Sequence, residues 1–495
     1  MKILLLWPKG FETVQVLPLA FAYLASNCTA RGHETAIVDC ALHRANASSR
    51  WLRRALLAHS PRIIGISFWS QTRDEARDLF RLCRLLFPDS LTLAGGIHPT
   101  LLPNDTLAWP EVDLVLRGDG ERALPDLLDL LAHTPHGLPP GKKLATVPGL
   151  CYRRPDGTTI LAKPNQLEDL DRLAFPDYRS IDLDGYIRQG YGLHTTVRDN
   201  APVWISRGCP YRCAFCSTPH KDGRKIRRHG LSYLLRLIGT LYREHDIRLI
   251  NIIDDNFTYD LEFAKQFCRA VIELGLPGLR MSTPNGIRLQ HTDAELFALM
   301  RRAGWTYVVV APESGSPKTL DRMRKDVSPE LFRSRTGEIK AAGLKVHAFF
   351  ILGYPGETRE DIEATRRLLR DCRFDFFYMN NFQPLPGTPV FEELVASGEI
   401  RTSTRPGNYV SGERVYVPRD LCDFDFPAFV LGEYLHQALT HPGSLPSMLT
   451  ALSPRIVSVK VLHNLVYLLR IEARRFLTKA GLPHRPGNRS LEPGE

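Results

Sequence analysis

Cys209, Cys213 and Cys216 stand at C-x3-C-x2-C spacing in the segment Arg-Gly-Cys-Pro-Tyr-Arg-Cys-Ala-Phe-Cys. That spacing lets three thiolates converge on one face of a cubane iron–sulfur cluster and leaves one of its irons without a protein ligand. An open iron can bind an amine and a carboxylate and position their owner for inner-sphere electron transfer, whereas a fully ligated cluster usually only carries electrons. The same three cysteines closed by His220 would make a tetrahedral zinc site, and spacing alone leaves both readings open. Cys28, Cys40, Cys83, Cys151, Cys268, Cys372 and Cys422 lie singly in apolar or helical contexts and read as small buried hydrophobes.

Further polar or glycine-rich motifs follow β-rich runs. They are Asp254-Asp255-Asn256-Phe257, Pro284-Asn285-Gly286, Glu313-Ser314-Gly315, Gly353-Tyr354-Pro355-Gly356-Glu357-Thr358 and Pro384-Leu385-Pro386-Gly387-Thr388-Pro389. The acidic pair and Glu313 are acceptors suited to a cationic, hydroxyl-rich ligand. Gly353 and Gly356 permit close backbone approach, and Pro355 stiffens their turn. Helix N-capping is the plainer role for Asp255 and Ser314, and turn chemistry for the proline-rich run. Nearer the N-terminus, Gly65-Ile66-Ser67, Gly95-Gly96-Ile97-His98 and Leu116-Arg117-Gly118-Asp119-Gly120-Glu121 also sit on or just after strand-like segments.

The elements that must carry these residues alternate strand and helix twice. Strands are predicted over 3–7, 35–39, 62–68, 91–94 and 113–116, with helical periodicity over 18–31, 50–59 and 72–87. This is the pattern of a doubly wound parallel sheet, whose ligands bind at the carboxyl ends of the strands. Residues 133–200 are rich in Pro, Gly and Asp and read as a linker with a small β excursion over 149–160. A second alternation places strands at 203–206, 249–254, 279–282, 306–310, 346–352 and 374–379, which predicts a partial (βα)6 barrel with its functional groups at the strand ends. The expected organisation is therefore an α/β chain: a Rossmann-like domain over 1–132, the linker, a TIM-like partial barrel over 201–391, a mostly helical region over 392–480 and a disordered tail over 481–495.

With 495 residues, 43% apolar and 24% charged, the chain is long enough for two or three cores. No run approaches a spanning helix, and the first residues are too short an apolar stretch for a secretory signal, so a cytoplasmic protein is expected. The net charge of +10 comes from interspersed residues, with the excess clearest over 460–479 and a basic amphipathic stretch over 457–477. That favours a generally basic surface over a nucleic-acid groove.

At the cysteine motif and the strand-end motifs the chain resembles the radical S-adenosylmethionine superfamily, over about residues 1–395. The resemblance implies a 4Fe-4S cluster on Cys209, Cys213 and Cys216, and S-adenosylmethionine held by Phe215, Asp255, Asn285, Glu313, Ser314, Gly353 and Gly356. One departure is Ala311-Pro312 before Glu313, where this subgroup usually carries Gly and an aliphatic residue. The first domain looks like the cobalamin-binding domain fused to many members, which implies corrin contacts from Ser67, Gly95, Gly96, His98, Gly118 and Glu121. Its usual Asp-x-His-x-x-Gly fingerprint is absent, so no histidine is expected on cobalt. The function so implied is methylation of an unactivated carbon in a small-molecule precursor, such as a natural product, lipid or tetrapyrrole, with a reductant such as flavodoxin or ferredoxin. A non-methylating cyclase or rearrangement enzyme shares every motif, and a metal-bearing regulatory protein using the basic C-terminal segment is the alternative from another class.

Overall fold

The computed structural model describes residues 1–10, 16–134, 137–191, 197–407 and 414–444. Met1–Cys422 form one compact unit. Within it, five parallel strands run β1 (Lys2–Trp7), β2 (Glu34–Asp39), β3 (Ile63–Ser67), β4 (Leu91–Gly95) and β5 (Leu114–Leu116) in the order 2-1-3-4-5. Apolar runs such as Ile-Leu-Leu-Leu-Trp suit them because helices cover both faces. Leu4, Leu6, Ile64, Ile66, Phe68, Phe80 and Trp109 are in the core on one side.

The order reverses between β1 and β3, and a cleft opens there, at the strands' carboxyl ends. Trp7, Pro8, Ser67, Phe68 and Trp69 are among its lining residues.

Residues 133–200 do more than link. β6 (Leu150–Arg153) pairs antiparallel with β5, and β7 (Thr159–Ile160) with β6, extending the first sheet to seven strands. Cys151 and Leu150 are buried by this pairing, and that burial is why a segment with a loop-like composition is ordered. The chain then crosses back, where Asn165 bonds the backbone of Arg117 and Asp119.

The second alternation gives two parallel three-stranded sheets: β8 (Asn200–Val203), β11 (Leu249–Ile252) and β12 (Arg280–Ser282), then β13 (Tyr307–Glu313), β14 (Lys345–Leu352) and β15 (Phe376–Asn381). Parallel bridges Met281 to Trp305 and Ile287 to Val310 join them into the expected six-stranded succession. The first strand is corrected: it spans Asn200–Val203, not 203–206. Asn200 is buried with its amide bonded to the carbonyls of Tyr191, Val197 and Arg198, a polar start that apolar periodicity overlooks. Beyond it, β9 (Ser206–Arg207) pairs antiparallel with β10 (Arg227–Arg228) and forms the neck of the cysteine loop.

Pro389–Ala396 is a helix capped by Thr388. The second unit begins at Asp423 and contains the helix Phe426–Thr440. The basic stretch over 457–477 and the tail over 481–495 lie outside the described residues. No helix among the described residues is long and apolar enough to cross a membrane.

Candidate functional site

The cysteine loop is tied at its neck and along its length by backbone. Gly208, at φ +95°, brings the chain so close to Lys225 that a Cβ would collide with the Lys225 carbonyl oxygen. Cys209 N–H donates to Gly223 O at 3.1 Å, Ala214 N–H to Met323 O at 2.8 Å, and Cys216 N–H to Cys213 O at 3.1 Å. Cys209, Cys213 and Cys216 stay half-exposed, while Cys28, Cys40, Cys83, Cys151, Cys268 and Cys372 are buried; Cys422 is corrected, since it lies exposed at the end of the first unit. Burial pushes the Cys209 thiol up to about 11; the N–H of Tyr211 opposes this, and the neighbouring Cys216, Asp255 and Cys213 add to it. Burial likewise raises Cys216, against hydrogen bonding with Thr218.

Among the described residues no three His, Cys, Asp or Glu side chains are gathered tightly enough to hold a metal ion as they stand. His220 is exposed on the short helix Thr218–Lys221 and is not brought to the cysteines. The donor chemistry of the loop still fits a cluster: three half-exposed thiols on one strap, each sensing the others, with cationic groups alongside. Arg288 donates Nη1–H to Cys213 Sγ at 3.5 Å and lies 3.4 Å over the Tyr211 ring. Its other nitrogen bonds Lys325 O.

Of the acidic pair after β11, only Asp255 borders this loop, accepting from Thr218 Oγ1 at 3.0 Å with Lys221 Nζ at 3.4 Å. Asp254 is turned inward: it accepts from Ile205 N at 2.7 Å and Ser206 Oγ at 2.6 Å, and burial pushes it up to about 7 against those bonds. Its acceptors are occupied by the neck, which corrects its expected role. Asn285 donates to Ile253 O at 2.8 Å and stays exposed at the strand end.

Glu313 ends β13 at φ +65°, where the register shifts against β14. A left-handed backbone is strained for a non-glycine residue and persists only where its surroundings hold it, often at functional sites. Here the holder is Lys325, whose Nζ lies 2.6 Å from Glu313 Oε1 and 5.7 Å from the Phe215 ring. Both partners are buried. Ser314 is corrected to a structural role: its hydroxyl is fully buried, paired with Thr365 Oγ1 at 3.2 Å and accepting from Ser316 N.

Gly353 and Gly356 both take positive φ. Gly353 N–H donates to Glu357 Oε2 at 2.6 Å, and a Cβ on Gly356 would meet Arg322 Nη1 at 2.7 Å. The run 384–389 is a turn into the Thr388-capped helix, its plainer reading.

At the first sheet's edge the expected residues divide. Ser67 lines the cleft at the switch point, and a Cβ on Gly95 would have only Leu116 O near it, at 4.0 Å, so that edge is open to a bulky planar ligand. Three others are corrected. Gly96, at φ +93°, is needed because a Cβ would strike Ser67 Oγ at 2.6 Å and Phe68 N at 2.8 Å. Gly118 is needed because a Cβ would overlap the Asn165 backbone. His98 is buried, bonded to Ser70 Oγ at 2.9 Å and Asp105 Oδ2 at 3.1 Å and stacked on Phe68. It is not free for cobalt, so the edge fits a corrin with no histidine ligand. Glu121 is also corrected: it pairs with Arg207 at 2.6 Å.

Sequence reasoning missed four residues. Lys325 sits in Arg322-Met323-Arg324-Lys325, a charge run that reads as a solvated face. Arg288 carries no motif of its own, and Arg207 opens the quoted cysteine segment without any local sign of a role. Asn256, inside the quoted acidic motif, is 3% exposed with neither amide atom partnered, as is the Thr283 hydroxyl. Buried polar atoms without partners are rare and point toward a ligand or water.

Comparison with known proteins matches residues 204–369 to the Radical SAM superfamily and residues 13–128 to the B12 binding domain. An uncharacterized methyltransferase of Pyrococcus horikoshii is 27% identical over 81% of this chain and 85% of its own length. Cytidylyl-2-hydroxyethylphosphonate methyltransferase of Streptomyces wedmorensis is 27% identical, covering 77% of this chain and 78% of its own. Anaerobic magnesium-protoporphyrin IX monomethyl ester cyclase of Rubrivivax gelatinosus is 28% identical over 81% and 71%. In fold, the chain matches the radical S-adenosylmethionine methyltransferase TsrM of Kitasatospora setae, solved with cobalamin and a 4Fe-4S cluster, with TM-score 0.66 and 19% identity over 80% of this chain and 75% of that one.

Proposed function

From the premise that this chain carries a radical SAM domain behind a B12-binding domain, we propose that it is a cobalamin-dependent radical S-adenosylmethionine methyltransferase acting on an unactivated carbon of a small molecule. The observation that carries the reading is three half-exposed thiols without a fourth ligand, in the same compact unit as a sheet edge open at Gly95. When bound, the cluster supplies the electron that splits S-adenosylmethionine, and cobalamin carries the methyl group.

The chain's residues do the holding. Cys209, Cys213 and Cys216 anchor three irons. The fourth side is left for the methionine moiety, whose ammonium Asp255 and Asn256 can accept and whose carboxylate Arg288 or Lys325 can take. Glu313, freed from Lys325 on binding, would turn to ribose hydroxyls. Phe215 and the Gly353 turn wall the nucleoside, and the barrel strand ends exclude water from the radical. We place the enzyme in the cytoplasm, drawing electrons from flavodoxin or ferredoxin.

The test is an anaerobic incubation with a strong reductant, methyl-deuterated S-adenosylmethionine and candidate precursors. Methyl transfer consumes two molecules per turnover and gives 5′-deoxyadenosine and S-adenosylhomocysteine in a ratio of about one, with the labelled methyl in the product. The similarity to the cyclase favours one second reading, cyclisation without methylation. A product lacking the label, with 5′-deoxyadenosine but no S-adenosylhomocysteine, would establish it.

A further inference from the structure

The cysteine loop hangs from a two-stranded neck in which Arg207 pairs with Arg227 across the antiparallel ladder. Two guanidinium groups side by side repel, and both are buried, at 7% and 3% exposure. What reconciles them comes from the other domain. Asp119, just past the end of β5, accepts from Arg207 Nη1 through Oδ1 at 2.8 Å and from Arg227 Nη1 through Oδ2. Asp119 Oδ2 also accepts from Leu167 N at 2.8 Å. Glu121, two residues on, takes the second Arg207 nitrogen at 2.6 Å. Two carboxylates thus balance two guanidiniums, all four buried.

Aromatic faces complete the seat. The Arg207 guanidinium lies 4.9 Å from the Trp204 ring and 5.6 Å from that of Tyr23, a residue of the first helix, Leu19–Thr29. Tyr23 and Trp204 stack on each other at 5.8 Å. One arginine therefore touches the first sheet's fifth strand end, its first helix and the first barrel strand end. Cys209 is two residues further on.

A buried ion cluster is poor evidence of stability, because desolvating the charges offsets their attraction; its attested use is to fix register. Burial alone would raise the Asp119 carboxyl, yet Arg207 and Arg227 outweigh it and hold it below the usual carboxylate range, so Asp119 stays ionised between them.

We propose that Asp119, Glu121, Arg207 and Arg227 form a buried lock that sets the position of the cluster-bearing loop relative to the corrin edge, with Arg207 as the positioning residue. The lock's placement rests on the functional reading above, since a fixed spacing matters where a methyl carrier and a radical source must reach one substrate. Its geometry needs Asp119 and Glu121 at the strand edge for this purpose, and not as ligand contacts.

The test uses the full chain, reconstituted anaerobically with iron, sulfide and hydroxocobalamin, as Glu121→Gln and Arg207→Lys. Glu121→Gln keeps the side-chain shape and both guanidinium contacts to Asp119, so it carries the test if Arg207→Lys does not fold. Two readouts apply. Amide hydrogen exchange over residues 208–226, measured on the cluster-loaded chain without cobalamin, should accelerate at least tenfold while iron content stays at the wild-type level. The dipolar coupling between the reduced cluster and cob(II)alamin should change from one narrow distance to a broad distribution, while 5′-deoxyadenosine formation falls less than threefold. Unchanged exchange and an unchanged distance in both variants would overturn the lock, as would loss of iron in step with exchange, which marks a merely structural role. A wild-type chain that takes up no hydroxocobalamin would retire the functional reading and leave the lock to be judged on exchange.

Discussion

The barrel strand ends and the first sheet's strand ends carry motifs of similar appearance, short glycine-rich runs with a histidine or carboxylate, yet they use them oppositely. Around the cysteine loop, groups remain uncommitted: the three thiols are half-exposed, and Asn256 is buried with both amide atoms unpartnered. At the first sheet's edge, the polar groups are already engaged inside the protein. His98 serves Ser70 and Asp105, Glu121 serves Arg207, and Gly96 and Gly118 exist to let the backbone pass itself. A corrin is large and carries carboxamides around its rim that backbone groups and water can serve, so a domain that holds one needs an open edge more than a set of free charged side chains. A charged amino acid bound at a metal needs donors and acceptors left free.

The contrast can be broken most directly at the cysteines. Changing any one of Cys209, Cys213 or Cys216 to Ala should abolish the brown cluster and lower 5′-deoxyadenosine formation at least a hundredfold, whereas His220→Ala should keep both; iron and sulfide analysis with product chromatography decides it. Zinc without sulfide in the wild type would reverse the reading of that region.

Next comes Lys325→Met, which removes the buried cation that holds Glu313 beside the cysteine loop. With the cluster retained, the S-adenosylmethionine concentration for half-maximal cleavage should rise about tenfold, on the order of 1.4 kcal/mol, and Lys325→Arg should recover most of it. Because Glu313 is left buried without its partner, the melting temperature should fall in the Met variant as well.

Adjacent glycines sharpen the other side. Gly95→Val should abolish hydroxocobalamin uptake with little change in melting, since its Cβ meets only Leu116 O, at an ordinary contact distance of 4.0 Å. Gly96→Ala should cost about 1–3 kcal/mol of stability, because its backbone conformation is nearly glycine-only and Phe68 blocks the new atom. Equal effects of the two on uptake and melting would erase the distinction.

The smallest effect concerns pH. Glu357 is fully buried, and burial pushes its carboxyl up to about 8 despite bonds from Gly353 N and Tyr354 N. A folded-state value above the unfolded one stabilises the protein at low pH, and that contribution is lost as pH rises toward 8. Glu357→Gln should therefore flatten the pH dependence of unfolding between about 4.5 and 8, measured by denaturant titration.

Much of this was legible in the sequence because it is local. Period-two and period-3.6 patterns place most of the strands to within a residue or two, although the strand expected over 306–310 runs on to Glu313, and the cysteine spacing needs no tertiary information. Where the pattern is not local it misleads. The first barrel strand begins at polar Asn200, satisfied by loop carbonyls, and the β excursion over 149–160 reads as part of a linker and not of the first sheet, because its partner β5 lies far back in the chain. Glu121 was assigned to a ligand because nothing in its own segment shows that Arg207, in another domain, occupies it. Lys325 went unnoticed because a lysine among arginines resembles surface until Glu313 folds against it.

The neck of the cysteine loop bears on how the enzyme is made. Asp254 grips Ser206 and Ile205, β9 and β10 pair, and Gly208 seats against Lys225, all through protein–protein bonds. Small zinc domains, by contrast, gain their fold from the metal itself. Here the neck is tied by the chain's own bonds, with no metal ligand among them. The expected consequence is that iron delivery is a late step of biogenesis, so that a cell short of iron would accumulate a folded precursor that can be matured once supply returns, with no need to synthesise the polypeptide again.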